Sequence, residues 1–227
     1  MDRAQACIPS IFVLALVGVA LAGCGSGCSG SDCLKGSGTV VTQSRPVENI
    51  TAIKLDSIGS LVVEQTGTDS LTVETDDNLQ SIVTSVVKNG ALTLADSGCR
   101  NCLPTKIAFK MTVKNLLALN LTSVGSVEVS KFDGPALSID QSGTGSLKLS
   151  GRVDNLKIAS SGTGLCDASG LTAKSATVVL SGTGVVRVNA TGTLDAKMSG
   201  VGKILYAGAP ELTQSVSGIG TIQPDTN

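Results

Sequence analysis

The chain has 227 residues, 41% hydrophobic and 15% charged, with 27 glycines, 2% aromatics and no tryptophan or histidine. Without histidine there is no Ser-His-Asp or Cys-His catalytic arrangement and no imidazole-ligated metal, and so few rings leave little to stack on sugars or bases. A formal net charge of −1, from 17 basic and 18 acidic residues, gives no electrostatic reason to expect nucleic acid or an anionic membrane surface as partner.

Residues Ile11 to Leu21 form an uncharged apolar run preceded by Arg3. It is too short to span a bilayer but suits the core of a signal peptide over residues 1–23. The run ends in Leu21-Ala22-Gly23-Cys24, which resembles the lipobox of bacterial lipoproteins. That resemblance implies a diacylglyceryl group on Cys24 and cleavage just before it, and Gly25 in place of Asp points to the outer membrane, with the side left open. The expected membrane contact is therefore through a lipid anchor, whose more than one acyl chain makes attachment stable. Residues 24–38 are rich in Gly and Ser and read as a lipidated, flexible tether.

Seven cysteines fall into three groups. Cys7 leaves with the signal, Cys24 takes the lipid, and Cys28, Cys33, Cys99, Cys102 and Cys166 remain. In an oxidising compartment Cys99-Arg-Asn-Cys102 most simply forms a local disulfide, and Cys28 with Cys33 can form another. Zinc or thiol exchange fits less well. A four-thiolate site wants two pairs of similar spacing, and Gly98 and Pro104 mark a loop rather than the helix start that activates a thiol.

Before residue 123 the strand signals are irregular. Ile53–Asp56 and Gly59–Val63 read as strand, turn, strand, and Leu71–Glu74 as a further strand. Val86–Leu94 reads as a hairpin with Asn89-Gly90 at its turn. Residues 96–105 form an excursion carrying the cysteine pair, and Ile107–Val113 resumes the sheet.

From residue 123 a turn recurs: Ser123-Val-Gly-Ser126, Ser142-Gly-Thr-Gly145, Ser161-Gly-Thr-Gly164, Ser181-Gly-Thr-Gly184, Ser199-Gly-Val-Gly202 and Ser217-Gly-Ile-Gly220, at steps of 19, 19, 20, 18 and 18. Such steps are too short for helical hairpin repeats, and the segments between them alternate apolar with polar. Stacked coils require the same slot to be apolar in every turn. Val127, Leu147, Cys166, Val186, Ile204 and Ile222 meet that condition, as do Val129, Leu149, Ala168, Val188 and Tyr206. Between them Glu128, Lys148, Asp167 and Arg187 belong outside. A second set runs Leu137, Leu156, Ala176, Leu194, Leu212 and Ile139, Ile158, Val178, Ala196, Gln214.

The predicted fold is an all-β, parallel β-solenoid with glycine-rich corners, one domain over residues 39–227. A narrow coil suits aliphatic side chains better than rings. Cys166 falls in an inward column and reads as a buried free thiol. At about 20 residues per coil and about 4.8 Å per layer, the rod is roughly 40–50 Å long. Its N-terminal strands can cap one end, while Pro224 discourages strand addition at the other.

The Ser-Gly-Thr-Gly turns, the segments Asp77-Asn-Leu79 and Val87–Leu94, and Ile204-Leu-Tyr-Ala-Gly-Ala-Pro210 together resemble the auto-transporter adhesin head GIN domain family over about residues 47–224. The resemblance implies a single-stranded right-handed β-helix, often exported or lipid-anchored, with no established catalytic residues. The expected function is a non-catalytic binding or adhesion module facing an envelope protein or glycan, with no cofactor, no metal and no nucleic acid. A polysaccharide-degrading β-helix is the alternative, with Asp140, Asp154, Asp167 and Asp195 as its candidate acids. A purely structural envelope scaffold is the third reading. A calcium-binding solenoid is disfavoured, since its Gly-Gly-x-Gly-x-Asp repeats are not matched.

Overall fold

The computed structural model describes residues 34–96 and 103–226. They form a parallel β-solenoid of about five turns in which strand accounts for 74% of the structure. The regular part consists of β9 (Val124–Gln141), β10 (Thr144–Ser160), β11 (Thr163–Leu180) and β12 (Thr183–Met198), each a whole coil that bends without leaving strand geometry. The next coil divides into β13 (Val201–Ala207) and β14 (Glu211–Val216), and β15 (Ile219–Pro224) begins another.

The register superimposes the predicted columns. Val127, Leu147, Cys166, Val186, Ile204 and Ile222 lie one above another, as do Leu137, Leu156, Ala176, Leu194 and Leu212. Leu147, Cys166 and Val186 are buried in a single core. One step differs from the spacing of the turns. Thr144 pairs with Val124 and donates its N–H to Ser123 O, so the first step is 20 residues, not 19, and Ser123 lies beneath Gly143. Small side chains at Ala168, Ala173, Ala176, Ala190 and Ala196 narrow the interior toward the C-terminus, where β12 lacks partners for residues 169–171 of β11.

Rings do enter the core. Phe109 and Phe132 are buried. Phe132 fits because Gly134 has no Cβ: one placed there would stand 3.1 Å from the ring tip. A third column, running Leu55, Leu121, Gln141, Ser160, Leu180 and Met198, is interrupted by two buried polar residues. Gln141 donates Nε2–H to Gly145 O at 3.3 Å beside a cavity of about 10 Å³, the size of one water.

The first half is stacked out of chain order. β2 (Ala52–Asp56) and β3 (Gly59–Gln65) form a coil that lies between an earlier layer and the regular coils. That layer is made later in the sequence, by β6 (Ala91–Asp96) and β7 (Ile107–Val113). Thus β3 sits between β7 and β9, and β2 between β6 and β8 (Ala118–Leu121). Beneath them β1 (Val40–Arg45), β4 (Ser70–Asp76) and β5 (Val83–Lys88) run antiparallel to their neighbours and close this end. The expected hairpin is β5–β6. Asn89 at φ 52° and Gly90 at φ 75° both take the left-handed conformation its turn requires.

Residues 35–38, expected within the tether, are held to the body. The Asn78 side chain accepts from Ser37 N–H at 3.0 Å and donates to Lys35 O at 2.9 Å, while Ser37 Oγ–H donates to Asp77. The buried Asp76 carboxylate accepts from Gly38 N–H at 2.9 Å and Thr105 N–H at 2.8 Å. Along one side of the solenoid ten strands follow in the order β1-β4-β7-β3-β9-β10-β11-β12-β13-β15. Nine steps of about 4.8 Å give a rod of about 43 Å.

Candidate functional site

Each regular coil has a short bend between its two long arms, near residues 131–135, 151–154, 170–174 and 189–192. Stacking aligns these bends into a lateral strip. Lys131 adopts φ 56° at the first bend, and its ammonium pairs with Glu64 at 2.5 Å. At the second, a Cβ on Gly151 would meet Phe132 O at 2.1 Å, so close backbone stacking there demands glycine.

The strip contains a depression of about 370 Å³ lined by Asp133, Arg152, Asp154, Thr172, Lys174 and Thr191. Its two acids and two bases balance. Arg152 Nη2 lies 3.4 Å from Asp133 Oδ2, but both side chains are more than 70% exposed, so the pair stabilises little and stays open to exchange with a ligand. Thr191 Oγ1–H donates to Ala173 O at 3.2 Å. Across the bend a second depression of about 220 Å³ is bordered by Leu117, Asn155, Lys157, Ser175 and Thr177. Asn155 Nδ2–H donates to Pro135 O at 3.2 Å, and Ser175 and Thr193 share a hydroxyl hydrogen bond at 2.7 Å. Hydroxyls, amides and balanced charge on a rigid ladder can hold a polar chain by many weak contacts. They contain no histidine, and their ionisable side chains are Asp133, Arg152, Asp154, Lys157 and Lys174.

The four candidate acids are not brought together. Asp140 stands in register between Asn120 and Ala159, Asp167 between Lys148 and Arg187, and Asp195 between Thr177 and Thr213. Asp195 is ion-paired with Lys197 at 2.9 Å, and Asp154 lies in the lateral depression. No two of them occupy neighbouring register positions. Glycoside hydrolysis needs two carboxyl groups flanking one bond, and these four do not pair with one another; Asp133, which the sequence did not single out, shares the lateral depression with Asp154.

Cys166 is buried, and burial, with Asp167 beside it, pushes its thiol up to about 12. It packs as a protonated hydrophobe between Leu147 and Val186. Cys24, Cys28, Cys33, Cys99 and Cys102 lie outside the described residues. Among the described residues no group of three potential metal ligands converges, and no helix is long and apolar enough to cross a membrane.

The family described as "Putative auto-transporter adhesin, head GIN domain" matches residues 49–210. The chain belongs to that family. A putative adhesin from Bacteroides fragilis NCTC 9343 is similar in structure, at TM-score 0.72 and 23% identity, over 85% of this chain and 100% of that one. A putative adhesin from Parabacteroides merdae ATCC 43184 gives 0.56 and 22%, over 86% and 100%. A protein titled a putative lipid binding protein, from Parabacteroides distasonis ATCC 8503, gives 0.55 and 24% over the same shares. At these identities the likeness is one of fold. Among curated proteins nothing matches.

The lateral strip could not be read from the sequence as a site. Its residues are ordinary surface types, and only the stacking of bends about 20 positions apart assembles them. The signal that could have found it is the recurrence, beside a glycine between the two apolar columns of each coil, of polar residues such as Asp133, Arg152, Asp154, Thr172, Lys174 and Thr191.

Proposed function

We propose that this GIN domain protein is a lipid-anchored, non-catalytic adhesion module of the bacterial outer membrane, binding an envelope protein or glycan along its lateral strip. The observation that carries the binding reading is the charge-balanced ladder of polar side chains repeated over successive bends, with the candidate carboxylates dispersed. Membership of a family described by adhesion supports the same reading. The lipobox-like Leu21–Cys24 supports the anchor. Many shallow polar contacts suit a repetitive partner better than a small substrate, which needs enclosure.

The test is a panel of envelope polysaccharides and outer-membrane extracts, assayed for binding and for turnover. Binding without new reducing ends or unsaturated products is expected, and the Arg152→Glu/Lys174→Glu variant should weaken it about tenfold or more, each lost charge-assisted contact being worth roughly 1.5–3 kcal/mol. Turnover of any polysaccharide would overturn the non-catalytic reading.

A further inference from the structure

The inward columns of the solenoid run on into a last described coil over which, among the described residues, no further strand is laid. Leu194 and Met198 are buried, yet the next residues in their columns, Leu212 and Val216, are partly or substantially exposed, and Ile219 at the following corner is 74% exposed. Among the described residues β14 pairs only with β12, and β15 only with β13, so the outer edges of both strands present unpaired backbone donors and acceptors. Solvent-facing edges are normally blunted by charge or proline. Here Glu211, at the start of β14, is the one charged side chain on the two strands, and Pro224 removes a single donor at the far end of β15.

We propose that this open end is a docking surface for the same end of a second copy of the chain, through antiparallel pairing of β14 with the second copy's β15 and of β15 with its β14. The geometry of any coil leads there. β14 runs toward the Ser217-Gly218 corner and β15 runs away from it, one half-coil further along the axis. A twofold axis through that corner lays the incoming arm of one copy on the outgoing arm of the other, which makes both pairings antiparallel. The half-coil step of each end fills the step of the other. Both strands are six residues long, and in the register below each overhangs by one residue, with Glu211 facing Asp225 at the end far from the axis, where Arg187 lies 3.6 Å from the Asp225 carboxylate. A register that keeps inward side chains inward places Val216 by Gly220, Gln214 by Ile222 and Leu212 by Pro224, closing the core on both sides. The absence of charge near the Ser217-Gly218 corner also favours self-pairing: a twofold contact sets groups at its axis beside their own copies, and an ionised residue there would repel itself.

Two strands about 20 Å long, with their inner side chains, give an end face on the order of 500 Å² per copy, or about 1,000 Å² in all. That is the lower limit for a specific interface, so the dimer is reversible, with a dissociation constant in roughly the micromolar range. It requires neither the lipid anchor nor the lateral strip.

Sedimentation of the full chain in density-matched non-ionic detergent, from about 1 to 500 µM, tests this. A monomer–dimer equilibrium is expected. Ile219→Lys sets two like charges near the axis and should raise the dissociation constant at least tenfold, and Val216→Lys, also at an exposed position, should do the same. Val124→Lys, at the equivalent corner of a covered coil, should leave it unchanged, as should Arg152→Glu in the strip. Matching far-UV spectra and melting curves establish that the variants are folded. A chain monomeric throughout, a dimer indifferent to both end substitutions, or association that grows beyond two would each overturn the proposal.

Discussion

Gly164 shows how a single atom sets the spacing of the coils. Its φ of 143° is one L side chains rarely adopt, and a Cβ there would stand 1.9 Å from Gly145 O of the coil beneath. Gly145, Gly184, Gly202 and Gly220 meet the same obstacle, because consecutive corners stack backbone on backbone. Gly67 has a φ of 86° but open space around its missing Cβ. The two sites separate conformational strain from collision. Gly67→Ala should cost only the left-handed penalty, about 1–2 kcal/mol. Gly164→Ala adds an overpacking cost of about 1–3 kcal/mol, for a total of about 2–5 kcal/mol. Urea unfolding monitored by far-UV circular dichroism will show this as a much larger fall in midpoint for Gly164→Ala. Equal falls would mean that the coils part at little cost. The glycines and the aliphatic columns were legible in the sequence because both follow from local repetition. Phe132 was not. Its accommodation depends on a glycine two positions away whose empty space is visible only once the bend is folded.

At the scale of elements, a buried carboxylate, beside Asp77 and Asn78, joins the antiparallel cap to the start of the described chain. Burial alone would raise the Asp76 pKa, but donors from Thr105, Gly38 and the Lys106 backbone outweigh it and hold the carboxyl below its ordinary range. A carboxyl with a lower pKa in the folded state contributes stability that is fully present above its unfolded value, about 3.9, and is lost as pH falls through the folded value. Lys54 and Thr122 lower Asp56, and Lys106 lowers Glu74, so both act in the same direction. Comparison with Asp76→Asn isolates the cap. The variant keeps one acceptor but sets an amide donor among N–H groups, so it should be less stable at neutral pH and lose less on acidification. The gap between the two proteins should therefore close below about pH 4 in thermal melts taken from pH 7 to pH 2. A gap constant across that range would mean the Asp76 charge does not hold the cap. The β5–β6 hairpin was legible from Asn89-Gly90, a turn whose chemistry is local. The clip of residues 35–38 onto 76–78 was not, since its partners lie about 40 positions apart. Nor was the placing of β3 between β7 and β9: short strands of similar pattern carry no mark of stacking order.

For the whole molecule, the direction of the rod follows from where its chain enters. Residue 34 and the clip lie at the capped end, with β1 and β4, whereas β14 and β15 form the opposite end, about nine strand layers away. A lipid on Cys24 would fix the capped end near the bilayer, since only nine residues separate Cys24 from Leu34. With such an anchor the lateral strip on β9–β12 would stand beyond the cap and the last described coil would lie farthest from the membrane. Replacing Cys24 by Ser removes the acyl chains without touching any described residue. Fractionation of cells should find the wild-type protein in membranes and the Cys24→Ser protein in the soluble fraction, with mass spectrometry of the wild type placing a lipid on an N-terminal Cys24. If the variant stays with the membranes as fully as the wild type, the Leu-Ala-Gly-Cys string is not the anchor, and the orientation of the rod must come from a different contact.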